Sequence, residues 1–159
     1  MAIILLSKNK YAVVDDSDFA ELNQYKWYAM KNKKDYYAAR HERGKTYNRK
    51  TILMHRQIVN ASEFQDVDHK NRNTLDNRRE NLRECSRSQN MANMKSVANT
   101  TSTYKGVQFQ PERNKWRARI GTKHLGRFNT GIEAALAYDR AAIIKYGEFA
   151  RLNILKRSA

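Results

Sequence analysis

Cys85 is the only cysteine in the 159 residues. One thiol excludes an intrachain disulfide and a cysteine-rich zinc site, and leaves Cys85 a structural role or none. No apolar run approaches 18 residues, so the sequence offers no membrane span. The opening MAIILLSKNK turns charged after a handful of apolar residues, too soon for a secretory signal. No amphipathic basic helix of the membrane-surface type is present either. The simplest expected location is the cytoplasm. Acidic residues are also scarce: 16, against 31 lysines and arginines, for a net charge of +15 and a pI near 10.1. Such a field favours a polyanion and gives fast, salt-sensitive association.

The positive charge is unevenly spread. Residues 31–60 carry nine basic residues and two acidic ones, with tyrosines among them. Residues 104–153 carry ten and four. Between them, residues 53–98 are nearly balanced, at eight and six. A site that must hold a cation is expected to be less basic than its flanks.

The first third reads as β-rich. Short apolar runs at Ile3-Ile4-Leu5-Leu6, Tyr11-Ala12-Val13-Val14, Tyr25-Lys26-Trp27-Tyr28, Asp35-Tyr36-Tyr37-Ala38-Ala39 and Thr51-Ile52-Leu53-Met54 are separated by turns at Ser7-Lys8-Asn9, Lys31 to Lys34 and Arg43-Gly44-Lys45. Asp16-Ser17-Asp18 is placed to cap a short helix through Tyr25. Each tyrosine alone reads as core; the charge cluster as a whole reads as a nucleic-acid-facing surface.

The stretch VDHKNRNTLDNRRENLRECSRSQN, residues 67–90, reads as strand, polar loop, strand and helix. Ser86 or Ser88 caps the helix, which runs to about Val97. Its residue types suit hydrolysis of a phosphodiester. A neutral histidine can take a proton from water. A carboxylate and an amide carbonyl are hard oxygen donors that suit Mg²⁺ or Mn²⁺. Asp68 and Asn90 are the candidate ligands. Singly, His69 reads as a buried structural histidine, and Asn71, Asn73 and Asn77 as ordinary loop residues.

Together these residues, with the upstream MHRQIV from Met54, resemble the HNH endonucleases of the phage and intron-encoded homing branch. That resemblance implies a ββα-metal (His-Me finger) core. It makes His69 the general base, Asp68 the first metal ligand, Asn81 the catalytic-motif asparagine that ties the loop backbone, and Asn90 the last ligand. Asn90 stands where histidine is frequent, which favours Mg²⁺ or Mn²⁺, one ion per active site, over zinc. His55 has two open roles, touching the scissile phosphate or only packing, and Arg56 beside it is a candidate DNA contact. His41 and His124 are not expected to be catalytic.

Ala98 to Thr103 is small and polar, a linker. Beyond it Trp116, Ala118 and Ile120 alternate with Lys115, Arg117 and Arg119, as in a half-buried strand. Thr130-Gly131-Ile132-Glu133 fits a capping box. The helix it opens puts Ile132, Ala135, Leu136, Ala142, Ile143 and Tyr146 along one broad face, and Gly147 ends it. The segments Tyr104-Lys105-Gly106-Val107, Lys115-Trp116, Leu125-Gly126-Arg127-Phe128, Glu133-Ala134-Ala135, Ala137 to Ala142 and Leu152-Asn153 resemble the plant APETALA/ethylene-response-factor DNA-binding domain. The resemblance implies a three-stranded antiparallel sheet packed on one helix, its sheet entering the major groove. Lys105, Gln108, Gln110, Arg117, Arg119 and His124 then occupy or neighbour DNA-facing positions. Gln108 and Gly121 depart from arginines common in the plant proteins, so the plant target sequence is not carried over.

The expected organisation is α+β: a β-rich DNA-contacting region (1–52), an HNH core (53–98), a linker (99–103) and a DNA reader (104–159). The expected function is site-specific, metal-dependent cleavage of double-stranded DNA by a monomer or homodimer, with no membrane and no small-molecule substrate. One core per chain makes nicking the simpler outcome. Two rivals stand beside it: a catalytically silent DNA-binding regulator, and a basic RNA-binding protein.

Overall fold

The computed structural model describes residues 1–42, 50–94 and 102–156. The turn expected at Arg43-Gly44-Lys45, the helix end near Val97 and residues 99–101 of the expected linker lie outside them. The chain forms two units, Met1–Asn90 and Met91–Ala159.

The first unit opens with the antiparallel hairpin β1 (Ala2–Leu5) and β2 (Tyr11–Val14). Helix α1 (Asp16–Leu22) follows, with Asp15 at its N-cap. A three-stranded antiparallel sheet is built from β3 (Tyr28–Asn32), β4 (Asp35–His41) and β5 (Thr51–Leu53). Three expectations shift here. Tyr25 to Trp27 precede the strand rather than forming it, because the Trp27 indole is buried and donates to the Leu22 carbonyl that ends α1. Lys31 and Asn32 extend β3, and the turn shrinks to Lys33-Lys34, with Lys33 at φ +53°. Met54 is the first residue of a short helix, α2 (Met54–Ile58), not the end of a strand.

Strands β6 (Asp66–His69) and β7 (Leu82–Cys85) pair antiparallel, and α3 (Arg87–Asn93) follows. Ser86 caps α3: its hydroxyl accepts from the Gln89 amide, and the Gln89 side chain accepts from the Ser86 amide. Ile4, Val14, Leu22, Trp27, Ala38, Met54, Ile58, Val67 and Leu82 form one apolar core. The β-rich region and the β6–β7 hairpin are therefore sides of a single hydrophobic cluster. Part of the basic surface is internal to the fold: the Arg40 guanidinium lies 3.9 Å over the Tyr25 ring.

The second unit is the sheet β8 (Val107–Gln110), β9 (Lys115–Ile120) and β10 (Lys123–Phe128), with α4 (Gly131–Tyr146) laid across it. Thr130 and Glu133 complete the capping box. The alternation of β9 holds: Ala118 and Ile120 are buried, and Trp116 packs against the same core. The helix face matches expectation at Ala135 and Ala142 and differs elsewhere. Ala134, Ala135, Tyr138, Asp139 and Ala142 are inward, whereas Ile132 and Ile143 stay exposed. The alanines let the helix approach closely. Asp139 is buried because its carboxylate accepts from the amides of Asn153, Ile154 and Leu155, which fastens the terminal segment. Asn153 in turn accepts from the Lys105 amide and donates to the Lys105 carbonyl. These bonds account for the Leu152-Asn153 signature.

Candidate functional site

The polar loop between β6 and β7 is knitted from its own side chains. The Asn71 side chain accepts from the Asn73 amide, and the Asn73 side chain from the Leu75 amide. Asn81 spans the loop: its Oδ1 accepts from the Asn71 amide at 2.9 Å and its Nδ2 donates to the Asp76 carbonyl at 2.7 Å. Arg78 forks onto both oxygens of Asp76, which holds that carboxyl below the usual range. The loop is also joined to β2, since Val13 donates to the Leu75 carbonyl and Asn77 donates to the Val13 carbonyl.

His69 ends β6 and is buried at 4% exposure. Its ring lies 5.0 Å from that of His55, and both face Tyr37, at 5.6 Å from His55 and 6.3 Å from His69. The three come from β6, α2 and β4. Burial lowers the His69 pKa from its ordinary value, opposed by its bond to Asn77 and by the Asp68 and Asp76 charges. The imidazole is thus neutral at physiological pH, the state a general base requires. His55 is lowered to about 3, first by burial, then by the neighbouring His69 and Arg56 charges. Its Nδ1 is buried without a hydrogen-bond partner. Burial raises the Tyr37 phenol, with help from the Asp35 and Asp68 charges.

The His55 shift sets a pH dependence. Its folded pKa lies below its unfolded value, so the unfolded chain takes the proton first as pH falls. The stability it provides is complete above about 6.5 and is lost progressively down to about 3. The loss amounts to on the order of 4 kcal/mol. Denaturant titrations across that window are expected to show this slope in the wild-type chain and a much flatter one in His55→Phe.

Asp68 is buried opposite Arg83 in the β6–β7 register. The guanidinium donates twice to one carboxylate oxygen, at 3.0 Å and 2.7 Å. Asn90 turns its amide nitrogen to Asp66, two residues before Asp68, at 2.9 Å, and Arg87 lies 3.6 Å from the same Asp66 oxygen. Among the described residues no group of three or more His, Cys, Asp or Glu is arranged to hold a metal ion. The donor chemistry nevertheless fits a hard cation: a carboxylate from Asp68 and an amide oxygen from Asn90, with water and phosphate supplying the other positions. Arg83 already donates to one oxygen of that carboxylate.

In the second unit the strand register aligns Gln108, Arg117 and Arg127 in one row. Arg117 donates to Gln108 at 2.7 Å and Arg127 to Gln110 at 3.0 Å. Arg119 lies opposite His124. Arg127 was not singled out from the sequence; its register with Arg117 places it on the same face. The remaining two expected contacts are engaged elsewhere. Arg56 donates to the Gln65 and Ser62 carbonyls. The Lys105 ammonium donates to the carbonyls of Met91, Ala92 and Met94, and burial, with the Arg151 charge, lowers its pKa to about 8.

Sequence reasoning also passed over Tyr37, Asp66 and Arg83, and read Asn77 as an ordinary loop residue. Asp66 had a signal, since alternate residues of a strand share a face. Arg83 needed the register, and Tyr37 needed the tertiary fold.

Comparison with known proteins gives two partial similarities. Residues 63–92 match a family described as HNH endonuclease. The chain is 69% identical over 29 residues to dehydration-responsive element-binding protein 2E of Arabidopsis thaliana, covering 18% of this chain and 12% of that protein. It is 47% identical over 62 residues to protein 2D of the same plant, covering 35% of this chain and 30% of that one. The chain thus spans less than a third of either relative. No solved structure matches it. An HNH-like ββα segment and a DNA-binding domain like that of the plant proteins both agree with the observed fold.

Proposed function

We propose that this chain binds duplex DNA through the open face of its second unit and cuts it with the His69 centre of the first. Binding is the better supported half. It rests on the Gln108–Arg117–Arg127 row, where arginine and glutamine side chains are held in pairs on a strand face away from α4. Such groups suit phosphates and base edges alike. Arg117→Ala and Arg127→Ala are each expected to weaken duplex binding roughly fivefold and to reduce the slope of log affinity against log salt by about one. Gel-shift titrations at several salt concentrations measure both; unchanged affinity in both variants contradicts the binding half.

Cleavage rests on one observation, the buried imidazole of His69 at the end of β6, next to Asp68. His69 accepts a proton from water as the water oxygen bonds to phosphorus. The bond from phosphorus to the 3′ oxygen breaks, leaving a 5′-phosphate and a 3′-hydroxyl once solvent protonates the departing oxygen. Asp68 and Asn90 would hold Mg²⁺ or Mn²⁺, which would supply neutralisation of the charge on the phosphoryl and leaving oxygens. Within this reading residues 53–98 do the chemistry and residues 104–159 read the duplex, with 1–52 supporting the site. A single centre per chain makes one nick per binding event.

The second reading is a DNA-binding regulator that keeps the first unit as a scaffold. The Arg83–Asp68 pair favours it, because it satisfies the carboxylate without a metal. So does the similarity to plant proteins whose names state element binding. Duplex binding with no strand scission in either Mg²⁺ or Mn²⁺ is its signature.

A further inference from the structure

Asn77 is fully buried, with both ends of its amide committed. Its Nδ2 donates to the Leu75 carbonyl, 3.3 Å away, and its Oδ1 lies 3.3 Å from His69 Nε2. A carbonyl oxygen only accepts, so the Leu75 bond fixes which end of the amide is nitrogen. The other end, Oδ1, also only accepts. His69 Nε2 must therefore carry the proton, and the basic lone pair falls on Nδ1. The amide is itself held in place from outside the loop. The Asn77 amide N–H donates to the Val13 carbonyl at 2.7 Å, and Val13 donates to the Leu75 carbonyl at 2.8 Å. Strand β2, more than fifty residues before His69 in the chain, thereby holds both the carbonyl that orients the Asn77 amide and the backbone that carries it.

We infer that Asn77 is a positioning residue that sets the tautomer of His69 and directs its Nδ1 lone pair to the reacting water. The inference rests on the nuclease reading of His69. It assigns the N-terminal hairpin a part in the chemistry: β2 is the brace against which the base is aimed. A loop asparagine with only a turn-forming role would be expected to sit at the surface, with its side chain returning to nearby amides, as Asn71 and Asn73 do. Asn77 instead spends its acceptor on an imidazole. Loss of the correct tautomer or orientation at a catalytic histidine costs from about 10²-fold upward in rate.

The ring nitrogens of His69 report the arrangement directly. In ¹⁵N–¹H correlation spectra of the full chain above neutral pH, His69 is identified by its loss in His69→Gln. It is expected to show a proton-bearing Nε2 and a pyridine-like Nδ1. In Asn77→Ala the two signals are expected to move toward an average. The rate of plasmid nicking at saturating protein is expected to fall about 10²-fold, with the half-saturating concentration unchanged. A wild-type spectrum with the proton on Nδ1 overturns the inference without any variant, so it stays testable if Asn77→Ala fails to fold. A folded Asn77→Ala chain that nicks at the wild-type rate also overturns it and leaves the nuclease reading standing. A wild-type chain that does not nick removes the nuclease reading, and the catalytic role of Asn77 with it.

Discussion

His69→Ala is expected to slow DNA cleavage by about 10³-fold while leaving duplex binding intact. In the proposed mechanism the His69 imidazole is the base. Burial lowers its pKa, opposed first by the bond to Asn77 and then by the Asp68 and Asp76 charges. Removing it deletes the proton acceptor, worth about 4 kcal/mol of barrier at that rate ratio. Binding survives because the arginine row belongs to a separate unit. The substitution also opens a void beside His55 and Tyr37 and leaves Asn77 Oδ1 without its donor. His69→Gln, which keeps most of the volume, is therefore the companion variant. Both are expected to fall together in single-turnover nicking. A rate loss in Ala but not in Gln traces to packing and contradicts the general-base role.

Gly106→Ala is expected to abolish the fold of the second unit and, with it, tight DNA binding. Gly106 sits at φ +73°, a region that side chains rarely adopt. An added Cβ would lie 2.2 Å from Tyr138 Cδ2, 2.4 Å from Cε2 and 2.6 Å from the Arg119 carbonyl oxygen. Tyr138 is buried in the helix–sheet core and cannot swing away without emptying it. The Arg119 carbonyl belongs to β9, and the Gly106 carbonyl accepts from the Arg119 amide, so the strand cannot retreat either. Overpacking and backbone strain together cost about 4 kcal/mol or more, a large share of a small unit's stability. The chain has one tryptophan in each unit, Trp27 and Trp116. In Gly106→Ala the Trp116 emission is expected to shift to that of an exposed indole while Trp27 stays buried. Native Trp116 emission with wild-type affinity contradicts the packing account.

The extent to which the sequence disclosed this molecule follows the range of the interactions involved. Short-range signals read well. The capping box at Thr130, the Ser86 cap, the alternation in β9 and the hairpin pairing of β6 with β7 are all encoded within a few residues. The helix face is legible in part: Ala135 and Ala142 face inward as expected, whereas Ile132 and Ile143, which hydrophobic counting places beside them, are exposed, and Asp139 is buried for its bonds to backbone amides. The helix at Met54 was hidden by a β-like run that continues into it. At the site, His69, Asp68 and Asn81 lie close together in the sequence, and the β6–β7 pairing brings them to one hairpin and its loop. Tyr37, Arg83 and the amide of Asn77 acquire meaning only once β4, β7 and β2 are brought against them.

The Arg83–Asp68 pair makes strand scission the point on which the account turns. The purified 159-residue chain, incubated with supercoiled plasmid, is to be compared in Mg²⁺, in Mn²⁺ and in EDTA, with duplex binding followed in parallel. The account expects conversion to the nicked circle in the divalent ions, none in EDTA, and 5′-phosphate ends at the break. Tight duplex binding with the plasmid left supercoiled in both ions contradicts it and leaves the chain a DNA-binding protein on an HNH-like scaffold.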